Sequence, residues 1–278
     1  MIRIDSHQHF WQYSPSSHSW INDEMQVLKR DFLPSDLEPL LTSRGMDGCV
    51  AVQAAQHERE TDFLIHLADQ HSFIKGVVGW VDLRAKNVEA RLSHYAQFPV
   101  LKGFRHIVQD EPDPHFLLQP DFCRGIEALQ KFGFTYDILV YPIHLEVAYL
   151  FASRFPEQPF VVDHLAKPYI KQQEIEPWAS QMRKLASLPH VYCKLSGMVT
   201  EADWKHWHSR DFKPYTEVIL EAFGAERVMI GSDWPVCLLA GNYGRVIHLG
   251  EELISALNPT DRTKIMGGNA ARFYNLLP

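Results

Sequence analysis

The chain of 278 residues reads as an α/β protein, a single-domain (β/α)8 TIM barrel. Three observations predict this. Eight short β-rich runs recur along the chain, each followed by a longer stretch with helical periodicity. Most of the runs are apolar on both faces, the pattern of parallel strands covered by helices on the outside. Eight is also the number of strands that closes a barrel, and barrels of this length are commonly one domain. A doubly wound open sheet is the competing arrangement. It loses weight because no Gly-x-Gly-x-x-Gly or Gly-x-x-x-x-Gly-Lys-Ser/Thr follows any run. There is no internal repeat, low-complexity segment or linker, so the domain is taken as residues 1–278.

The first strand is 3–10, Arg-Ile-Asp-Ser-His-Gln-His-Phe. On an extended backbone i and i+2 share a face, so His7 and His9 converge on one ligand. A metal ion or a polarised carbonyl suits such a pair. The spacing alone is weak: 15 histidines in this length give about one such pair by chance. His206-Trp207-His208 is indeed a second pair, in a polar segment with no strand before it, and reads as surface or packing residues. The loop from 9 to about 34 holds Trp11, Trp20 and Ile21, which suits a segment packed over something. A helix follows at 34–44, ended by Gly45.

The second to eighth strands are expected at 49–53, 77–81, 103–108, 136–140, 160–163, 191–195 and 228–231. Their helices are expected at 61–71, 88–97, 121–131, 144–154, 174–186 and 213–223, with closing helices at 246–257 and 261–265. A polar insertion at 200–212 precedes the seventh strand's helix.

Charge and composition narrow the function classes. A net charge of −7, without any dense Lys/Arg block, argues against nucleic acid as a partner. No run approaches a membrane span or a signal peptide. The cysteines at 49, 123, 193 and 237 form no Cys-x-x-Cys, and a reduced, cytoplasmic protein is expected. Oligomeric state is not legible.

In a closed barrel the C-terminal ends of all strands share one rim, where such folds place their sites. Those ends carry His7 and His9, Arg105 and His106, Tyr141, Asp163 and His164 with Lys167 just beyond, Lys194 and Ser196, and Asp233 with Trp234. Plainer readings stand beside each. Arg105 can pair with Asp110 or Glu111, Tyr141 can be packing, and Lys194 a neutralising partner. Asp137, at its strand's beginning, reads as a bottom-rim or capping group. Asp163 and His164 are adjacent, so only one can face the axis of an extended strand, and His164 is the choice. Asp233, between Ser232 and Trp234-Pro235, is the residue least easily explained as structural.

These segments bring a family into view. Asp5-Ser6-His7-Gln8-His9, Gly231-Ser232-Asp233-Trp234-Pro235 and the tail Gly268-Asn269-Ala270-Ala271-Arg272-Phe273-Tyr274 resemble the amidohydrolase superfamily. Gly103-Phe104-Arg105-His106, Asp163-His164-Leu165-Ala166-Lys167-Pro168 and Lys194-Leu195-Ser196-Gly197 are similar to its sugar-lactonase branch. That branch holds L-fuconolactonases and L-rhamnonolactonases, with the pyrone-dicarboxylate lactonase more distant. The resemblance runs along the whole chain and implies hydrolysis of a small-molecule sugar lactone. Metal-dependent members add a carboxylated Lys or a Glu from the fourth strand and a His from the fifth. Here those strands end in Arg105-His106 and Tyr141-Pro142, so no metal is expected to be required. His7, His9, His164 and Asp233 remain able to hold a single Zn.

The expected chemistry is ring opening by water. Asp233 takes the water's proton and passes it to the leaving oxygen. His7, His9 and His164 surround the carbonyl oxygen, and Arg105, His106, Tyr141 and Trp234 hold the sugar. A metal-dependent decarboxylase of the same superfamily is one alternative. A non-catalytic sugar-acid binding protein is another, but it would have no use for Asp233.

Overall fold

The computed structural model describes residues 2–276. Its strands are β1 (Ile4–Gln8), β2 (Gly48–Val52), β3 (Ile74–Gly79), β4 (Leu101–Ile107), β5 (Thr135–Leu139), β6 (Phe160–Val162), β7 (Val191–Leu195) and β8 (Val228–Ile230). They follow one another in sequence order in one sheet, and every neighbouring pair is parallel. The seam between β8 and β1 is closed just past the strand ends. There Asp233 N donates to His7 O (2.8 Å) and His9 N donates to Trp234 O (2.7 Å). Below them Ser6 Oγ donates to Ile230 O (2.6 Å). The barrel is the architecture expected from the alternating runs.

The connecting helices are α1 (Pro34–Ser43), α2 (Glu58–Gln70), α3 (Val88–Tyr95), α4 (Pro120–Lys131), α5 (Leu145–Ser153), α6 (Trp178–Ala186), α7 (Ser209–Phe223) and α8 (Tyr243–Leu253). Most boundaries fall within a few residues of expectation. The start of α7 lies inside the expected insertion, because the Asp211 carboxylate accepts from His208 N (2.8 Å) and caps the first turn. Third-strand pairing begins at Ile74, earlier than expected, and Trp80 and Val81 fall outside it.

Apolar side chains form two cores. The larger lies between strands and helices. The smaller fills the barrel's lower interior with Ile4, Val50, Val52, Val78, Val161 and Met229. It is sealed from below by α9 (Pro259–Thr263), a π turn at Lys264–Gly268 and α10 (Asn269–Phe273), which delivers Tyr274. Gly267 makes this seal possible, since a Cβ there would stand 2.4 Å from Ile2 O and 2.7 Å from Ile4 N. No helix of the described residues is long and apolar enough to cross a membrane.

Candidate active site

The His pair reaches the interior through an irregularity in β1. Ile4 faces the lower core, while Asp5 points the other way and accepts from Ser232 N (2.8 Å). Between Asp5 and Gln8 the pairing with β2 slips by one residue. Such a slip re-aims the side chains that follow. His7 and His9 then both face inward, with Nε2 atoms 3.2 Å apart, while Gln8 turns out and its Nε2 donates to Cys49 Sγ (3.3 Å). His9 Nδ1 lies 2.7 Å from Val52 O, so it carries a proton, and its Nε2 sits 3.3 Å from Asp233 Oδ1.

Beyond β6 the chain does something no extended strand can. His164, Leu165, Ala166 and Lys167 are four consecutive left-handed residues, with φ of 54°, 55°, 55° and 51°. Each costs a non-glycine residue roughly 1–2 kcal/mol. The turn brings His164 to the cleft as expected while Asp163 also points inward, so what is corrected is the premise that only one of them could. His164 Nδ1 lies 2.9 Å from Ser196 Oγ, and its Nε2 is 3.9 Å from Asp233 Oδ1. Burial drives the imidazole down to about 4, against the pull of Asp233 and Asp163, so it is neutral at pH 7. Asp233 is itself left-handed, with φ 57°. Its burial opposes ionisation, but His164, His9 and Lys167 outweigh it and hold the carboxyl below its usual range.

Beneath these groups lies a buried ion network. Lys194 Nζ stands 2.5 Å from Asp137 Oδ2, 3.0 Å from Asp163 Oδ1 and 3.2 Å from His7 Nδ1. Tyr274 Oη donates to Asp137 (2.7 Å), and Arg105 Nη1 donates to Asp163 Oδ2 (2.9 Å). Asp137 is therefore an interior partner of Lys194, not a bottom-rim cap, because it is the third residue of β5 and points inward. Burial pushes Asp137 up to about 6 against the pull of Lys194. For Asp163 the burial is overcome by Lys194, His7 and Arg105, and its carboxyl stays well below the usual range. Burial likewise keeps His7 well below its usual value.

The cleft above is lined by His9, Trp20, Arg105, His164, Lys167 and Asp233, among others. Arg105 pairs with Asp163 and with the carbonyl of Gln53, not with Asp110 or Glu111. Its Nη1 is also 3.3 Å from His7 Nε2. His7 is fully buried and lies behind His9 and His164, with ring centroids 4.9 and 4.4 Å away, and does not line the cleft.

Two expected sugar contacts are turned away. His106 alternates with Arg105 on β4, so it faces outward, stacks on Phe116 (4.6 Å) and holds Glu111 (2.6 Å). Trp234 packs edge-on against Phe10 and Phe32. Tyr141 is half-buried near the rim, with Lys167 Nζ 5.4 Å from its ring centre. His206 is exposed beside Asp203, a surface residue as expected.

Several site residues were not singled out from sequence. Gln53 receives the Arg105 guanidinium. Glu60, pushed by burial up to about 7, accepts from Ala54 N and from Ala55 N (3.0 Å) and braces the loop at the cleft's edge. Trp20 and Gln109 line the cleft itself. Trp20 belongs to the loop expected to pack over something, whereas nothing in the local sequence marks Gln53, Glu60 or Gln109.

His7, His164 and Asp233 place donor atoms within 4.8 Å of one another. His9 Nε2 stands nearer still to His7 and Asp233. Imidazole nitrogens and one carboxylate are ordinary zinc ligands, so the set fits a single divalent ion.

A barrel with this rim is what amidohydrolases are built on, and the family model described as amidohydrolase matches residues 4–276. The chain belongs to that family. It is 42% identical to an L-fucono-1,5-lactonase of Burkholderia multivorans, over 99% of this chain and 96% of the relative. It is 38% identical to an L-fucono-1,5-lactonase of Burkholderia ambifaria, over the same shares. A crystal structure of an amidohydrolase from Burkholderia multivorans with bound Zn superposes with a TM-score of 0.97, at 42% identity and full coverage of both chains.

Proposed function

We propose that this enzyme hydrolyses a sugar-acid lactone, with L-fucono- and L-rhamnonolactone types first among candidate substrates. The observation that carries the reading is Asp233: an ionised, buried carboxylate facing a cleft beside imidazoles and the Arg105 guanidinium. The relatives named L-fucono-1,5-lactonase support the substrate class.

Water attacks the lactone carbonyl carbon, and Asp233 accepts its proton as the new C–O bond forms. Charge that develops on the carbonyl oxygen is met by Arg105, whose guanidinium is fixed in place by Asp163 and Gln53. Lys167, which also lines the cleft, adds a second positive charge. Collapse breaks the ring C–O bond, and Asp233 returns the proton to the leaving oxygen, giving the open hydroxy acid. His9 Nε2 and His164 Nε2 flank the Asp233 carboxylate at 3.3 and 3.9 Å. His7, behind them, is a positioning residue, which revises the expectation that it touches the carbonyl oxygen.

A divalent ion held by His7, His9, His164 and Asp233 would polarise the carbonyl and acidify the water. We infer that turnover does not require it, and one feature supports this. The Arg105 cation already stands 3.3 Å from His7 Nε2, the nitrogen a metal would need. The four free cysteines, three of them buried, suit the cytoplasmic location inferred here.

A pH-indicator assay over aldono-1,4- and 1,5-lactones, with and without chelator, tests the reading. Acid release from at least one lactone, largely retained after chelation, is expected. A silent panel, with carbon dioxide lost from a keto or enol acid, would establish the decarboxylase alternative.

A further inference from the structure

Polar atoms around the cleft differ in whether the protein already uses them. His9, His164, Arg105 and Asp233 all have protein partners. Two others do not. Trp20 Nε1 and Gln109 Oε1 are shielded from solvent, have no hydrogen-bond partner among the described residues, and belong to side chains that line the cleft. Trp20 comes from the loop after β1, and Gln109 from the turn Val108–Asp110 after β4. They arrive from different parts of the chain at one cleft.

Both are held in place. The Trp20 ring lies edge-on to Trp11 at 5.9 Å. Gln109 spends its amide nitrogen on Asp110 Oδ1 (3.3 Å), which leaves the oxygen as the unused end. An indole N–H can only donate and an amide oxygen can only accept. Shielding such atoms without a partner is unfavourable, so a site keeps them where a ligand satisfies them.

We propose that Trp20 Nε1 and Gln109 Oε1 read the hydroxyls of the bound lactone, one donating to and the other accepting from the polyol. This rests on the lactonase reading and deepens it. A hydroxyl group offers both a proton and lone pairs, so it can satisfy either atom. A carboxylate offers Gln109 Oε1 no proton, which selects a neutral polyhydroxylated ring over a dicarboxylate. Leu139, Ile107 and Val236 on the same cleft supply apolar surface for the ring's C–H face.

Functional-group deletion on both sides tests this. Trp20→Phe and Gln109→Met remove the polar atoms, and kcat/KM is measured on the best aldonolactone and on its monodeoxy analogues. Each variant is expected to lose roughly 5- to 100-fold on the parent lactone. For one monodeoxy analogue per variant, the loss should disappear, because the hydroxyl it served is already gone. Thermal midpoints within a few degrees of wild type confirm folding, and Gln109→Met, at a half-buried loop position, keeps the test decisive if Trp20→Phe disturbs its loop. Losses that persist unchanged across every analogue, or variants as active as wild type, overturn the proposal while wild-type turnover leaves the lactonase reading standing. A wild-type chain that opens no lactone overturns both.

Discussion

Replacing Lys194 with methionine should show how the barrel floor is held. The ammonium lies 2.5 Å from Asp137 and 3.0 Å from Asp163, and all three side chains are wholly buried. Methionine keeps the length and removes the charge, leaving two carboxylates in the interior with only Arg105, His7 and Tyr274 near them. Breaking a buried pair from one side costs about 3–5 kcal/mol, a large share of the roughly 5–15 kcal/mol that holds a typical domain together. The pH dependence carries a sign. Asp137 sits at about 6 in the folded chain against 3.8 for the free group, so charging it erodes stability as pH rises through that window. Lys194 is the main influence pulling that value down, so its loss moves the upper end of the window higher. The deficit of Lys194→Met should therefore be present at pH 5 already, because Asp163 is ionised there, and grow towards pH 8 as Asp137 ionises. Urea unfolding followed by tryptophan fluorescence at both values measures it. A deficit under about 1 kcal/mol at pH 8, or one larger at pH 5 than at pH 8, would refute the account of this network.

Other consequences concern turnover. Since Asp233 is held below its ordinary value, the base stays ionised above about pH 5, and kcat/KM should show no acid limb between pH 5 and 8. A limb centred near pH 6–7 in a stopped-flow profile would assign the base elsewhere. His7→Ala should lower kcat roughly 10²-fold through misplacement of His9 and His164, by the same factor in metal-stripped and zinc-supplemented protein. A deficit seen only with zinc would make His7 a metal ligand in the active enzyme. Gly103→Ala should fold poorly or not at all, since a Cβ there would stand 2.7 Å from Thr135 O in the adjacent strand. Normal soluble yield and an unchanged melting temperature would contradict the packing argument.

The barrel was legible because eight apolar runs and their helices obey simple periods. The rim was legible too, because charge at the end of an apolar run has no packing reason to be there. What was hidden depends on backbone irregularity. Period-two reasoning pairs His7 with His9 correctly, yet the slip in β1 that aims both inward has no local signature. The same rule fails at Asp163 and His164, where a left-handed turn places adjacent side chains in one site. Alternation, applied strictly, would have set His106 outside once Arg105 was inside. Trp234 was read by its proximity to Asp233, but Phe10 and Phe32 claim its ring. Asp137 and Lys194, far apart in sequence, meet only because β5 and β7 point them at the same interior layer.

The central claim is that a carboxylate at the end of the eighth strand drives lactone opening, and Asp233→Asn tests it most directly. The exchange keeps the side chain's shape and removes its capacity to take a proton. Acid release from L-fucono-1,4- or 1,5-lactone, measured for wild type and variant on protein of equal thermal midpoint, should show one equivalent of acid per lactone for wild type. The variant's kcat should fall roughly 10²–10⁴-fold. A variant that opens the ring at near wild-type rate would contradict the account.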